Sequence, residues 1–440
     1  MNREMRHSGV QWIGDIPKEW KMPRLKNVAE LHGRIGWNGL RSDEFEEDSY
    51  AYLVTGQDFI SSEISWDKCY QIRRERYDED PFIQLNNGEI LVTKDGTIGK
   101  IAIVSKMDKP GCLNSGIFVL RQKNEAFVPK FLYWQLYSSL LKTYNDYMNL
   151  GGTTIIHLYQ NVFERMPLLT PSLSEQQKIA DYLDKVCSDI DDMITLQEQM
   201  IEELKAYKQS IITEAVTKGL NPNVPMKNSG IDWIGEIPKH WLIMKLKGCV
   251  NSIKDVDHYM PVSIEKGIPY IMTRDLNDRT SKIDFGQCKQ ISNEDYYKLS
   301  KKVIIRRNDV IYARYATIGT ICLVDTDDRI IVSYSCVIIN PSDKVESLFL
   351  FYYLKSKTFE EEALQFVNTN IQGNIGIDSL SKTKMILPPL SEQQQIASHL
   401  DTKCSEIDSL ITIKQQKIEE LKEYKKSVIY EYVTGKKEVV

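Results

Sequence analysis

Residues Leu173–Thr217 read LSEQQKIADYLDKVCSDIDDMITLQEQMIEELKAYKQSIITEAVT, and residues Leu390–Thr434 read LSEQQQIASHLDTKCSEIDSLITIKQQKIEELKEYKKSVIYEYVT. The two align without a gap at a separation of 217 residues. In the first, apolar residues recur at spacings of three and four: Ile179, Leu183, Val186, Ile190, Met193, Ile201, Leu204, Ile211. The second has Ile396, Leu400, Ile407, Leu410 or Ile411, Ile418, Leu421 and Val428. This spacing predicts two long helices with a coiled-coil seam, interrupted at the polar Gln197 and Lys414. Pro171, Pro388 and Pro389 block an earlier start. Ser174 with Gln177, and Ser391 with Gln394, have the spacing of a capping box, and Gly219 with Pro222, or Gly435, ends each helix. Early turns are acidic (Asp181, Asp184, Asp191; Asp401, Glu406, Asp408) and late turns basic (Lys205, Lys208; Lys422, Lys425). An antiparallel pair sets acid against base, whereas a parallel pair stacks like charges, so an antiparallel pair is expected.

A second repeat lies 221 residues apart: SGVQWIGDIPKEW at 8–20 and SGIDWIGEIPKHW at 229–241, identical at nine of thirteen positions. The stretches between the constant segments, 28–165 and 249–386, are largely unrelated in sequence. The chain is therefore constant, variable, constant, twice over, a duplicated two-domain unit and not a solenoid. The Trp-Pro segments read as arms tying each variable region to the scaffold, with Trp12, Trp20, Trp233 and Trp241 as packing anchors. Within the variable regions, EILVTKDGTIGKIAIV (89–104) and DVIYARYATIGTICLV (309–324) read as strands around a shared Thr-Ile-Gly turn. YLVTGQD (52–58) and YIMTRDL (270–276) correspond in the same way. KFLYWQLYS (130–138) and LFLFYYLKS (348–356) read as short buried helices. The expected fold class is α+β: two mixed α/β domains separated by two long antiparallel coiled-coil helices, with an internal pseudo-two-fold repeat. The expected segments are 1–165 (arm 7–27), 166–222 (central helix), 223–386 (arm 228–248) and 387–440 (C-terminal helix).

Composition narrows the function. A length of 440 residues with 42% hydrophobic and 27% charged residues describes an ordinary multi-domain globular protein. Eight scattered cysteines without a Cys-x-x-Cys pair read as reduced thiols, and six histidines show no ligand spacing, so no metal site is expected. No membrane-length apolar run or signal peptide is evident, and a cytoplasmic location is expected. The net charge of −5 directs any nucleic-acid contact to local basic patches. GTIGKI at 96–101 lacks the spacing of a phosphate-binding loop, a Rossmann glycine pattern is absent, and DPF at 80–82 has too few prolines for a methyltransferase loop. No catalytic residue is expected.

Candidate contact residues are polar and basic groups of the variable regions, those at the Thr-Ile-Gly turn and before the long helices in equivalent loops. In the first region they are Thr55, the basic cluster Arg73, Arg74 and Arg76, then Lys94, Asp95, Thr97 and Lys100 around the turn, and Thr153, Thr154 and His157. In the second they are Thr273 and Arg274, the cluster Arg306 and Arg307, then Arg314, Tyr315 and Thr317, and Asn370, Gln372 and Asn374. Clustered arginines suit phosphates. Arg or Lys suits guanine, Asn or Gln adenine, and Asp cytosine in the major groove.

The order S-G-x-x-W-I-G-x-I-P-x-x-W, variable region, Thr-Ile-Gly turn, P-x-L-S-E-Q-Q and long helix, then nearly all of it again, resembles the specificity subunit of type I restriction–modification enzymes. The resemblance spans essentially the whole chain. It implies two target-recognition domains, each reading one half of a bipartite double-stranded DNA sequence. It also implies helices that dock two modification subunits, with restriction subunits joining them. S-adenosylmethionine, ATP and Mg are then expected on the partner subunits and no cofactor on this chain. Ala316, where the first turn has Gly96, departs from the pattern. The alternative is a coiled-coil protein-interaction scaffold without DNA-sequence readout, which leaves the paired basic and amide-rich loops unexplained.

If helix length sets the gap between half-sites, inserting four residues near Gln197 lengthens the rod by ~6 Å. With DNA rising ~3.4 Å per base pair, the gap in methylated sites should grow by one or two base pairs while both half-sites stay the same. A two-residue insertion should rotate the apolar seam by over half a turn and abolish assembly. Gap lengths in the methylated sites of each variant check this.

Overall fold

A computed structural model describes residues 3–34, 40–60, 62–148, 157–315, 317–367 and 373–439. It divides into two compact units. The first joins residues 1–197 to residues 416–440, and the second is the continuous stretch 198–415. Each long helix, Leu173–Lys218 and Leu390–Val433, therefore contributes one part to each unit.

Each unit carries the same arrangement. In the first, a four-stranded antiparallel sheet runs in the order Ala29–His32, Ile117–Gln122, Ile90–Thr93, Ile101–Ile103. A three-stranded sheet sets Ala51–Val54 between parallel Gly111–Leu113 and antiparallel Tyr70–Ile72. The second unit repeats both, with Val250–Lys254, Cys336–Pro341, Val310–Ala313 and Ile321–Leu323 in one sheet. Lys289–Ile291, Ile268–Ile271 and Ile331–Val332 form the other. The expected strand pairs and the buried helices Pro129–Tyr137 and Ser347–Lys355 are all present. The unbroken apolar runs ILV and VIY follow from burial on both faces. Ile90 and Val92 face the core shared with the long helices, and Leu91 faces the core shared with the other sheet. Val310, Tyr312 and Ile311 divide in the same way, as the two-residue period of a strand requires.

The long helices are antiparallel. In the first unit Tyr182 Oη meets Tyr432 Oη at 3.2 Å, and Asp191 accepts from Lys425 Nζ at 2.6 Å. In the second, Lys208 Nζ donates to Asp408 at 2.7 Å. The acidic early turns thus meet basic late turns, as the charge pattern anticipates. Ile179, Leu183, Ile190, Ile396, Leu400, Ile407, Ile418, Leu421 and Val428 are buried as seam residues, whereas Met193 and Leu410 are exposed. The helix starts also differ from expectation. Ser174 and Ser391 lie inside the first turn. Ser172 Oγ accepts from Glu175 N at 3.3 Å, and the Pro389 carbonyl accepts from Glu392 N and Gln393 N at 2.9 and 3.0 Å. The cause is the first glutamine of the motif, two residues after Ser174 and Ser391. Buried Gln176 donates to the Pro171 and Ala126 carbonyls and accepts from Val128 N, and buried Gln393 donates to the Pro388 and Lys344 carbonyls and accepts from Glu346 N. Each amide stitches the turn before a long helix to the loop before a short one, which fixes where the long helix begins.

The arms close the same junctions. Trp20 and Trp241 are fully buried. Trp20 Nε1 donates to Glu175 at 3.2 Å and Trp241 Nε1 to Glu392 at 2.9 Å. The second oxygen of each carboxylate takes Arg3 at 2.6 Å or His240 Nε2 at 2.7 Å. Against the rings lie the glycines ending the other long helix: Gly435 beside Trp20, Gly219 beside Trp241. Both have positive φ, +68° and +76°, which favours glycine, and a Cβ at Gly435 would overlap Pro17. Trp12 packs near Tyr144 with ring centroids 5.9 Å apart, whereas Trp233 is partly exposed. All eight cysteines are free and buried; burial pushes the Cys187 and Cys336 thiols up to about 12.

Removing the acceptor from a buried indole should cost about 1–3 kcal/mol. Glu392→Ala should therefore destabilise by that amount. In a double-mutant cycle with Trp241→Phe, most of the loss should appear as coupling, read from denaturant melts of the single and double variants.

Candidate nucleic-acid interface

The loops bearing the candidate residues are held together by backbone hydrogen bonds, the same ones in both units. In the first, Asn114 N donates to the Val54 carbonyl at 2.9 Å and Lys94 N to that of Gly116 at 2.8 Å. Leu158 N donates to the Lys94 carbonyl at 3.1 Å. In the second, Ser333 N donates to Ile271 at 2.8 Å, Arg314 N to Ser335 at 2.9 Å, and Ile375 N to Arg314 at 3.1 Å. This frame brings Thr55, Lys94, Asp95, Thr97, Lys100 and His157 together in one unit. In the other it gathers Thr273, Arg274, Arg314, Tyr315, Thr317 and Asn374. Thr153, Thr154, Asn370, Gln372 and Ala316 lie outside the described residues.

On matched backbones the side chains differ. Lys94 Nζ sits 4.9 Å from the Phe118 ring centroid, and Arg314, at the corresponding position, donates to Asp255 at 2.7 Å while lying 4.7 Å from the Tyr315 ring. Asp95 Oδ1 lies 2.7 Å from His157 Nδ1, both side chains partly exposed. Their counterparts, Tyr315 and Asn374, form an antiparallel backbone bridge. Several candidates serve the frame itself. Thr55 donates to Asp58 at 2.9 Å, Lys100 Nζ donates to the Gly56 carbonyl at 3.0 Å, and the Thr97 carbonyl accepts from Thr93 Oγ1 at 2.6 Å. Thr273 opens a short helical turn, and Thr317 holds the hairpin tip through its carbonyl, which accepts from Thr320 N at 3.1 Å. Arg274 is exposed beside Asp275 at 3.6 Å.

The basic clusters lie on separate elements and carry acidic partners. Arg73 bonds Glu46 at 2.6 Å, Arg74 lies 3.4 Å from Asp78, and Arg76 pairs with Glu44 at 2.7 Å and also with Glu79. Arg307 holds Asp327 at 2.7 Å, whereas exposed Arg306 makes no ion pair among the described residues. Hydrogen bonds from Ser49 and Arg73 hold the Glu46 carboxyl below its usual range, and the bond from Arg307 does the same for Asp327. Such exposed pairs contribute little to stability and are readily exchanged for another anion. Composition alone missed Glu44, Glu46 and Asp255, because a partner distant in sequence leaves no local signal. It also missed His258, whose ring lies tilted against Tyr334 with centroids 3.9 Å apart. Among the described residues no cluster of three or more His, Cys, Asp or Glu could hold a metal ion, and no helix is long and apolar enough to cross a membrane.

The family model of the type I restriction modification DNA specificity domain matches the chain twice, over residues 17–206 and 239–423. The chain belongs to that family. Two recognition domains of one DNA-specificity subunit account for the duplicated frame. The chain is 28% identical over 435 residues to the type I restriction enzyme MjaVIII specificity subunit of Methanocaldococcus jannaschii, covering 96% of this chain and 93% of that one. It is 23% identical to the EcoBI specificity subunit of Escherichia coli, covering 93% and 84%. Its fold is similar to a chain from a type I restriction–modification assembly study, with TM-score 0.71, 18% identity and 96% and 99% coverage. It is also similar to the HsdS subunit of Thermoanaerobacter tengcongensis, with TM-score 0.55, 16% identity and 98% and 99% coverage.

In this specificity subunit, exposed arginines remote from the loop frame should contact phosphates. Arg73→Ala and Arg306→Ala should each weaken DNA binding by the assembled complex on all sequences alike. Each should also lower the slope of log affinity against log salt by about 0.9 for every phosphate left without its cation. A salt titration with specific and unrelated duplexes measures both.

Proposed function

We propose that each recognition domain of this subunit reads one half of a bipartite DNA target and that the length of the long helices sets the gap between the halves. The observation carrying this reading is the loop frame: one backbone network present twice, bearing Lys94, Asp95 and His157 in one copy and Arg314, Tyr315 and Asn374 in the other. Two equal scaffolds with different hydrogen-bonding side chains suit two different half-sites.

The subunit works in a complex with modification and restriction subunits, and its own residues catalyse nothing. Two modification subunits dock on the long helices, bind S-adenosylmethionine and methylate adenine; the restriction subunits use ATP and Mg. Support for docking comes from exposed apolar side chains at repeat-related positions: Met193 and Leu410, Leu196 and Ile413, Tyr207 and Tyr424, each between 43% and 61% exposed. Large apolar side chains kept at the solvent face in both copies favour a protein partner over open water.

The test is an exchange. Residues 28–165 are replaced by the same region of a relative, the complex is assembled, and methylated adenines are mapped. One half of the recognised sequence should change and the other should remain. A protein-interaction scaffold without DNA readout predicts no split motif at all.

A further inference from the structure

The first recognition domain pairs a histidine with an aspartate across its loop frame. His157 and Asp95 sit on two different loops of the frame, yet Nδ1 of the imidazole lies 2.7 Å from a carboxylate oxygen of Asp95. The position is set by the backbone on both sides. Leu158, the next residue, donates to the Lys94 carbonyl, and Lys94, the residue before Asp95, donates to Gly116. A neighbouring Thr93 hydroxyl tightens the hairpin by accepting from Lys100 N at 2.9 Å and donating to the Thr97 carbonyl at 2.6 Å. The imidazole is partly exposed, and its Nε2 has no hydrogen-bond partner among the described residues. At the matching place in the second domain, Tyr315 and Asn374 meet through their backbones.

We propose that His157 reads a base edge in the first half-site, with Asp95 as the residue that positions it. The proposal rests on the reading of each domain as the reader of one DNA half-site. A carboxylate at Asp95 accepts, so Nδ1 carries a proton toward it, and an imidazole holding only that proton presents Nε2 as an acceptor. In the major groove an acceptor selects a base that offers an amino hydrogen, adenine through N6 or cytosine through N4. It is opposed by the oxygen acceptors of guanine and thymine. The ring's orientation is fixed before DNA arrives, which reduces the entropy cost of binding.

The experiment uses the full subunit assembled with its modification subunits, with methylated adenines mapped for wild type, His157→Ala and Asp95→Ala. Wild type should give a split motif with adenine or cytosine at the affected position. His157→Ala should lose discrimination there by on the order of five- to tenfold, at one position of one half-site. Asp95→Ala frees the tautomer, so Nε2–H also donates, and the same position should now admit guanine or thymine. A purely structural role slows methylation without changing the motif, so an unchanged motif in His157→Ala overturns the proposal. Relaxation in the other half-site, or at a position that wild type reads as guanine or thymine, overturns it as well. Melting curves of the variants show that the frame is intact. If wild type gives no split motif, the half-site reading itself has failed, a result distinct from an unchanged motif in the variants.

Discussion

The structure depends on a buried indole donating to a glutamate on the first turn of a long helix. Trp20 with Glu175, and Trp241 with Glu392, each join three segments remote in sequence: an arm, the start of one helix and the end of the other. An indole brings on the order of 150–250 Å² of surface to burial, but its N–H must find an acceptor when water is excluded. The glutamate supplies that acceptor, and its second oxygen holds a basic side chain, Arg3 just before the first arm or His240 within the second. Only glycine, in the left-handed region, lets the incoming helix end flush against the ring. The two constant motifs are therefore two halves of one joint, which is why neither is repeated without the other.

Once the joints are fixed, the recognition loops are free to differ. The frame that gathers them is made of backbone hydrogen bonds, so its geometry survives almost any exchange of side chains. Lys94 becomes Arg314, Asp95 becomes Tyr315 and His157 becomes Asn374 without loss of the N–H to carbonyl bonds beneath them. Arg314 then recruits Asp255, whereas Lys94 at the matching position lies against the Phe118 ring.

Much of this was legible in the sequence because long-range order was written twice. The seam spacing gave both helices, the charge gradient gave their antiparallel pairing, and the shared Thr-Ile-Gly turn gave equivalent hairpins. The errors lie where a tertiary contact overrules a local pattern. Ser174 and Ser391 have the spacing of caps, yet buried Gln176 and Gln393 shift the helix start upstream by bonding loops some fifty residues away. Met193 has the spacing of a seam residue but stands at the surface, and of the two alternatives Leu410 is exposed whereas Ile411 is partly buried. In the loops, residue type pointed to Arg73 and Arg76 as phosphate contacts, and the structure adds the acidic partners Glu46 and Glu44 beside them. Pairing across sequence distance is a property of the folded backbone, so single-residue chemistry does not announce it.

The division of the chain has a consequence for biosynthesis. The second unit is one continuous stretch, whereas the first is completed by residues 416–440. On the ribosome, residues 1–197 emerge first but cannot bury Trp20 under Gly435 or seat Ile179 and Leu183 beside Val428 and Val433 until the whole second unit has been made. At about 5–20 residues per second, that interval lasts on the order of ten seconds to a minute. The order of synthesis and the order of completion are thus reversed, and the earliest-made apolar surface waits longest for its cover.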